Sequence, residues 1–211
     1  MTKNEMITKM LKKQDELNII TNGASWKMLN IPWYRAIWTE CAEMLDYTPW
    51  KWWKHGKLKL DDIKIELVDI WHFGMSDIIA RIETQEEFDE CVKIIAEYFD
   101  TVQIDEYGLQ EAIEQLATKV LANKMFNFVS FVKLCKILNL SIEELYKIYI
   151  GKNVLNEFRQ DHGYKDGTYV KIWNGKEDNY YMMETLKNLA AEQVELELYN
   201  KLKELYNKET R

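Results

Sequence analysis

Only two prolines, Pro32 and Pro49, occur in a chain of 211 residues, and apolar residues recur along most of it with a period near 3.6. Proline removes a backbone donor and breaks helices, so its absence after residue 49 leaves long helices open. Glycine is also scarce until Gly151. The periodicity predicts helices over roughly 4–20, 33–48, 61–81, 84–99, 109–122, 125–139, 141–161 and 182–206. Pro32 sits near the entry of the second of these, Asp61 is placed to cap the third, and Ser141 with Glu144 reads as a capping box. Period-2 alternation is nearly absent; KDGTYVKIW, 165–173, is the single candidate strand. No internal repeat or low-complexity linker divides the sequence. The expectation is an all-α helical bundle forming one domain over 1–211.

The bulk composition narrows the function classes. With 47% hydrophobic and 30% charged residues the chain is able to fold, and a net charge of −7 argues against nucleic-acid or acidic-membrane partners. Cys41, Cys91 and Cys135 are odd in number and far apart, which fits a reducing cytosol and buried thiols. No apolar run approaches the length of about 18 residues that a membrane span needs, and the N-terminus has no signal-peptide core. A soluble, cytoplasmic protein is expected.

Chemistry is concentrated in two acidic pairs. In KIELVDIWHF, Glu66 and Asp69 lie one helical turn apart, with Phe73 between them and Ile65 and Ile70 to either side. In WTECAEMLD, Glu40 and Glu43 repeat the spacing, near Ala36, Ile37 and Met44. Like charges on an apolar face are costly unless a cation compensates them. Four carboxylates suit a hard cation, Mg²⁺ or Mn²⁺, better than zinc. The alternative is that such pairs are simply solvated or salt-bridged. Asp69 and His72 imitate half of a di-iron motif, but no second acid-to-histidine pair exists, so His72 reads as a pocket wall.

A basic face complements the acids. Lys152, Asn156 and Arg159 fall at i, i+4 and i+7 of one helix, a combination suited to phosphate oxygens, with Arg able to bind bidentately. Lys165 and Lys171 follow in a glycine-punctuated loop. An ordinary solvated face is the competing reading. Trp50 and Trp52 in TPWKWWKH are expected in the core by default, although a planar base can stack on such rings. Gln14 and Asn22 are amides able to read a base edge.

The stretches TNG (21–23), ECAE (40–43), PWKWWK (49–54), IELVDIWHF (65–73) and YIGKNVLNEFRQDHGYKDGTYVKIWNGKEDN (149–179) together closely resemble the dimeric, all-α dUTP diphosphatases. These dUTPases belong with the MazG-like all-α NTP pyrophosphatases, and the likeness is greatest to the Campylobacter-type branch. It spans about residues 5–179, and the GKNVLNEFRQDHGYKDG stretch is its most specific part. The resemblance implies core motifs at 5–81 and 141–179, a variable helical segment at 82–140 and a C-terminal helix at 182–206. Residues 82–123 form a shorter, acidic segment that does not align with the family pattern.

By the same resemblance, Glu40, Glu43, Glu66 and Asp69 hold catalytic magnesium, with manganese as an alternative, and Glu40 or Glu43 assists a metal-activated water. Lys152, Asn156, Arg159, Tyr164, Lys165 and Lys171 match phosphate- and sugar-contacting positions. Gln14, Asn22, Trp53, Lys54, His72 and Phe73 match the wall of the uracil and deoxyribose pocket. The implied reaction is hydrolysis of dUTP, and of dUDP, to dUMP with release of pyrophosphate or phosphate, keeping uracil out of DNA. A homodimer is implied, with the apolar helices between 109 and 148 as candidates for its interface. The competing functions are a sister pyrophosphatase acting on another nucleotide such as dCTP, and a helical interaction protein without catalysis.

Overall fold

The structure, a computed structural model, describes residues 1–106 and 108–209. Among them are nine α-helices: α1 (Lys3–Asn22), α2 (Trp33–Asp46), α3 (Leu60–Ile79), α4 (Gln85–Thr101), α5 (Leu109–Asn123), α6 (Phe128–Ile137), α7 (Ile142–Asp161), α8 (Asp178–Leu186) and α9 (Val194–Glu209). The only strands among the described residues are β1 (Ile172–Trp173) and β2 (Lys176–Glu177). The all-α expectation holds. No described helix is long and apolar enough to cross a membrane. The chain divides into two compact units, Thr2–Ile142 and Glu143–Arg211 with Met1.

In the first unit α3 is the central element. Its buried positions, among them Ile63, Ile65, Leu67, Val68, Ile70, Trp71 and Met75, fall on every side of the helix, which requires neighbours all round. α2 packs along it, α1 and α6 also lie against it, and α5 covers α2. Trp71 stacks on Phe131 at 5.1 Å between ring centres and touches Phe126 and Phe128. Asp77, 6% exposed, accepts from Arg81 Nη2 and from the Phe126 N–H, anchoring the approach to α6. α1 and α4 open with capping boxes in which Thr2 and Thr84 exchange hydrogen bonds with Glu5 and Glu87. The apolar stripe of α5, Ala112, Ile113, Leu116 and Val120, is consumed by the core; Leu121, Met125 and Val129 stay exposed nearby.

In the second unit α7 packs on α8 so closely that a Cβ on Gly151 would meet Leu186 Cδ1 at 2.9 Å. Phe158 of α7 meets the rings of Tyr169, Trp173, Tyr199 and Tyr206, and stacks on His162. β1 and β2 form a two-stranded antiparallel hairpin turned by Asn174 and Gly175, both at positive φ (43° and 77°).

Several expectations are corrected. Residues 182–206 do not form one helix: α8 ends at Leu186, a 3₁₀ turn covers Ala191–Gln193, and α9 starts at Val194. Ala190 is extended there, and its N–H is taken by Gln193 Oε1 at 2.9 Å, which closes the break. Of 165–173 only Ile172–Trp173 is strand, because Gly163 and Gly167 turn the chain beforehand with positive φ. Asp61 does not cap α3; Lys59 occupies that position, and Asp61 and Asp62 lie in the first turn, where carboxylates favour the helix dipole. The helix expected at 125–139 begins only at Phe128, capped by Asn127 Oδ1. Trp52 is not core: it is 86% exposed.

Candidate active site

The pairing of α2 with α3 gathers acids within the first unit. One carboxylate oxygen each from Glu40, Glu43 and Glu66 lie within 4.8 Å of one another. Glu66 is buried at 9% exposure, Glu40 is half-buried and Glu43 is exposed. Asp69, one turn beyond Glu66 and half-buried, stands outside this group of three. The sequence-derived set of four is thus brought together for three members. An all-oxygen donor set with one carboxylate out of water fits a hard divalent cation. Cys41, adjacent to Glu40, has its thiol pKa pushed up to about 12 by burial and then by the Glu40 charge. With no metal bound, the thiol therefore stays protonated.

One turn and more along α3, a buried polar network joins it to α1. Ser76 Oγ donates to the His72 carbonyl (2.9 Å) and accepts from Gln14 Nε2 and Asn18 Nδ2, both at 3.0 Å. With its nitrogen held by Ser76, Gln14 turns Oε1 to His72 Nδ1 at 2.9 Å. An amide oxygen only accepts, so Nδ1 is the donor in this contact. Of the two amides expected to face a base, Gln14 belongs to this network, whereas Asn22 lies exposed at the end of α1. Asn18 and Ser76 were missed. Their signal was the i, i+4 spacing from Gln14 and from His72, which puts each on its partner's face.

Phe73 is half-buried and stacks on Trp33, which meets Trp26 edge-on. Trp53 and Lys54 sit on a loop whose ends are joined by the Lys59 N–H donating to the Tyr47 carbonyl at 3.0 Å. Such closed loops pack on themselves and present their tips to solvent. Trp53 is 59% exposed and meets Trp50 and Trp52 edge-on, and Lys54 is exposed.

In the second unit, α7 carries the basic face. Lys152 is buried, Asn156 is exposed and Arg159 is half-buried. The bidentate edge of Arg159 does not await a phosphate: Nε and Nη2 both donate to the Asp178 carboxylate at 2.8 Å, and Nη1 donates to Asn156 Oδ1 at 3.1 Å. Burial alone would lower the guanidinium pKa, but the hydrogen bond and charge of Asp178 outweigh it and raise the value. Tyr169 donates to Asp178 Oδ2 at 2.9 Å, and burial followed by the Asp178 charge raises its phenol pKa, so it remains a donor. Tyr164 and Lys165 are exposed on the turn after α7, where the Tyr164 N–H returns to the Arg159 carbonyl. Lys171 is exposed and paired with Glu177 at 3.1 Å. Asp178 and Tyr169 escaped the sequence reading, because nothing local marks which acid across a hairpin will meet Arg159.

Residues 6–164 match the dUTPase family. No curated protein matches the chain. The matched span contains both acidic helices, the amide network, the whole of α7 and the turn after it as far as Tyr164, while Lys171 and Asp178 lie beyond it. Since that span is most of the chain and the architecture is all-α, the chain belongs to the dUTPase family and is an all-α dUTP diphosphatase.

Proposed function

We propose that this dUTPase cleaves the anhydride bond between the α and β phosphates, giving dUMP and pyrophosphate from dUTP and dUMP and phosphate from dUDP. The observation that carries the reading is the buried Glu66 carboxylate within 4.8 Å of Glu40 and Glu43. Glu40, Glu43 and Glu66, joined by Asp69, hold Mg²⁺, for which Mn²⁺ substitutes. Such a cation, when bound, neutralises phosphate charge and lowers the pKa of water. A carboxylate oxygen of Glu40 or Glu43 takes the proton as the water oxygen bonds to phosphorus and the anhydride oxygen leaves. Lys152, Asn156, Arg159, Tyr164, Lys165 and Lys171 bind the phosphate chain and sugar. Gln14, Asn22, Trp53, Lys54, His72 and Phe73 wall the uracil and deoxyribose pocket, which excludes the thymine methyl by packing.

Residues 1–211 act as one functional domain, in a homodimer resident in the cytoplasm. The three free cysteines suit that reducing compartment. Exposed Leu121, Met125 and Val129 favour the α5–α6 region for the dimer contact. The test is a panel of dUTP, dUDP, dCTP and dTTP, run with magnesium and with chelator on wild type and Glu66→Gln. Turnover restricted to dUTP and dUDP, lost with chelator and reduced at least about 100-fold in the variant, is expected. Wild-type turnover by Glu66→Gln, or full activity in chelator, would sink the metal role.

A further inference from the structure

We infer that Asp178 is a positioning residue for catalysis, setting which edge of Arg159 is presented to the phosphate chain. Asp178 is the first residue of α8 and has no exposed surface. The hairpin delivers it, with the Asp178 N–H bound to the Lys171 carbonyl at 3.0 Å just beyond the Asn174–Gly175 turn. Each carboxylate oxygen accepts two bonds: Oδ2 from Arg159 Nε and Tyr169 Oη, Oδ1 from Arg159 Nη2 and the Asn179 N–H. The carboxylate is thereby fixed from two directions besides the guanidinium, and it fixes the guanidinium plane in turn.

A guanidinium has five N–H donors. Two go to Asp178 and one to Asn156, so one N–H on each of Nη1 and Nη2 has no bond among the described residues. These are the donors left for an anionic oxygen. A long side chain held in one orientation loses little freedom when it binds, so locking it lowers the entropic cost of ordering the phosphates. The same contact neutralises a half-buried cation, and Asp178 stands outside the segment matched to the family. Tyr169 joins the glycine-rich loop to this lock, so the loop and Arg159 hold their positions together.

The inference rests on Arg159 being a phosphate ligand, and a double-mutant cycle separates the two claims. Asp178→Asn turns an amide N–H toward the arginine donors while keeping the side chain's size. Steady-state kinetics with dUTP and magnesium are measured for wild type, Asp178→Asn, Arg159→Ala and the double variant. Asp178→Asn alone should raise KM or lower kcat/KM about tenfold or more, and should cost nothing further once Arg159 is alanine. Equal losses in both backgrounds would mean a general structural role and overturn the inference. Wild-type kinetics for Arg159→Ala would instead remove the phosphate reading beneath it. Should Asp178→Asn lose its helical circular dichroism, Tyr169→Phe carries the same cycle, since it removes one bond and no charge. A smaller but non-additive loss for Tyr169→Phe supports the inference, and additive or absent effects overturn it.

Discussion

Ser76 has no exposed surface and a single hydroxyl, yet two amides and a backbone carbonyl converge on it. Replacing it with alanine removes an acceptor from Gln14 and Asn18 in a buried place, and a buried donor stripped of its acceptor costs about 1–3 kcal/mol. Ser76→Ala should therefore lose about that much stability in urea unfolding. It should also raise the KM for dUTP more than it lowers kcat, because Gln14 and His72 lose their fixed orientation. An unchanged KM would place the network outside the base pocket. At this scale the sequence was readable in part. Acid spacing within α2 and within α3 picked out Glu40, Glu43 and Glu66, because helix geometry alone decides which residues share a face. Asn18 and Ser76 share a helix face with Gln14 and His72, but that spacing does not show that α1 and α3 meet there. Asp178 was illegible because its role exists only between α7 and the start of α8.

Among the elements, α3 bears the tightest constraint. A Cβ on Gly74 would approach Phe126 ring atoms at 2.7 Å, and that ring is wedged among Trp71, Phe128 and Phe131. A ring edge can usually swing aside, but this one has aromatic neighbours on several sides, so overpacking dominates the helix-propensity gain of alanine. Gly74→Ala should lower stability by about 1–3 kcal/mol, read from the denaturation midpoint at unchanged m-value. A stabilised variant would show that Phe126 yields. Helices α1 to α5 and α7 were legible because apolar residues recur at helical spacing over lengths without an internal proline. The break between α8 and α9 was not, for no glycine or proline marks it; Gln193 binding the Ala190 N–H is a side-chain solution that composition does not reveal. Asn174–Gly175 did carry its own signal, as both residues tolerate the positive φ of a tight hairpin turn.

For the molecule as a whole, buried thiols tie stability to alkaline pH. Cys135, on α6, is fully buried, and the loss of water raises its pKa well above the ordinary 9.0. The unfolded chain releases that proton near pH 9, while the folded chain keeps it. Between those two values the native state binds more protons, so stability falls as pH rises, by up to about 1.4 kcal/mol per pH unit for one thiol. Below pH 9 both states are protonated and the group contributes no slope. Tyrosines and lysines titrate in the same range, so the wild-type slope alone identifies nothing. Cys135→Ala isolates the term: it costs some packing at every pH but removes the differential proton. Urea unfolding at pH 7.5 and at pH 10 should therefore show a smaller loss of stability for Cys135→Ala than for wild type. Equal losses would mean that the thiol ionises as readily in the folded protein as in the unfolded chain, which would contradict the dry interior of α6.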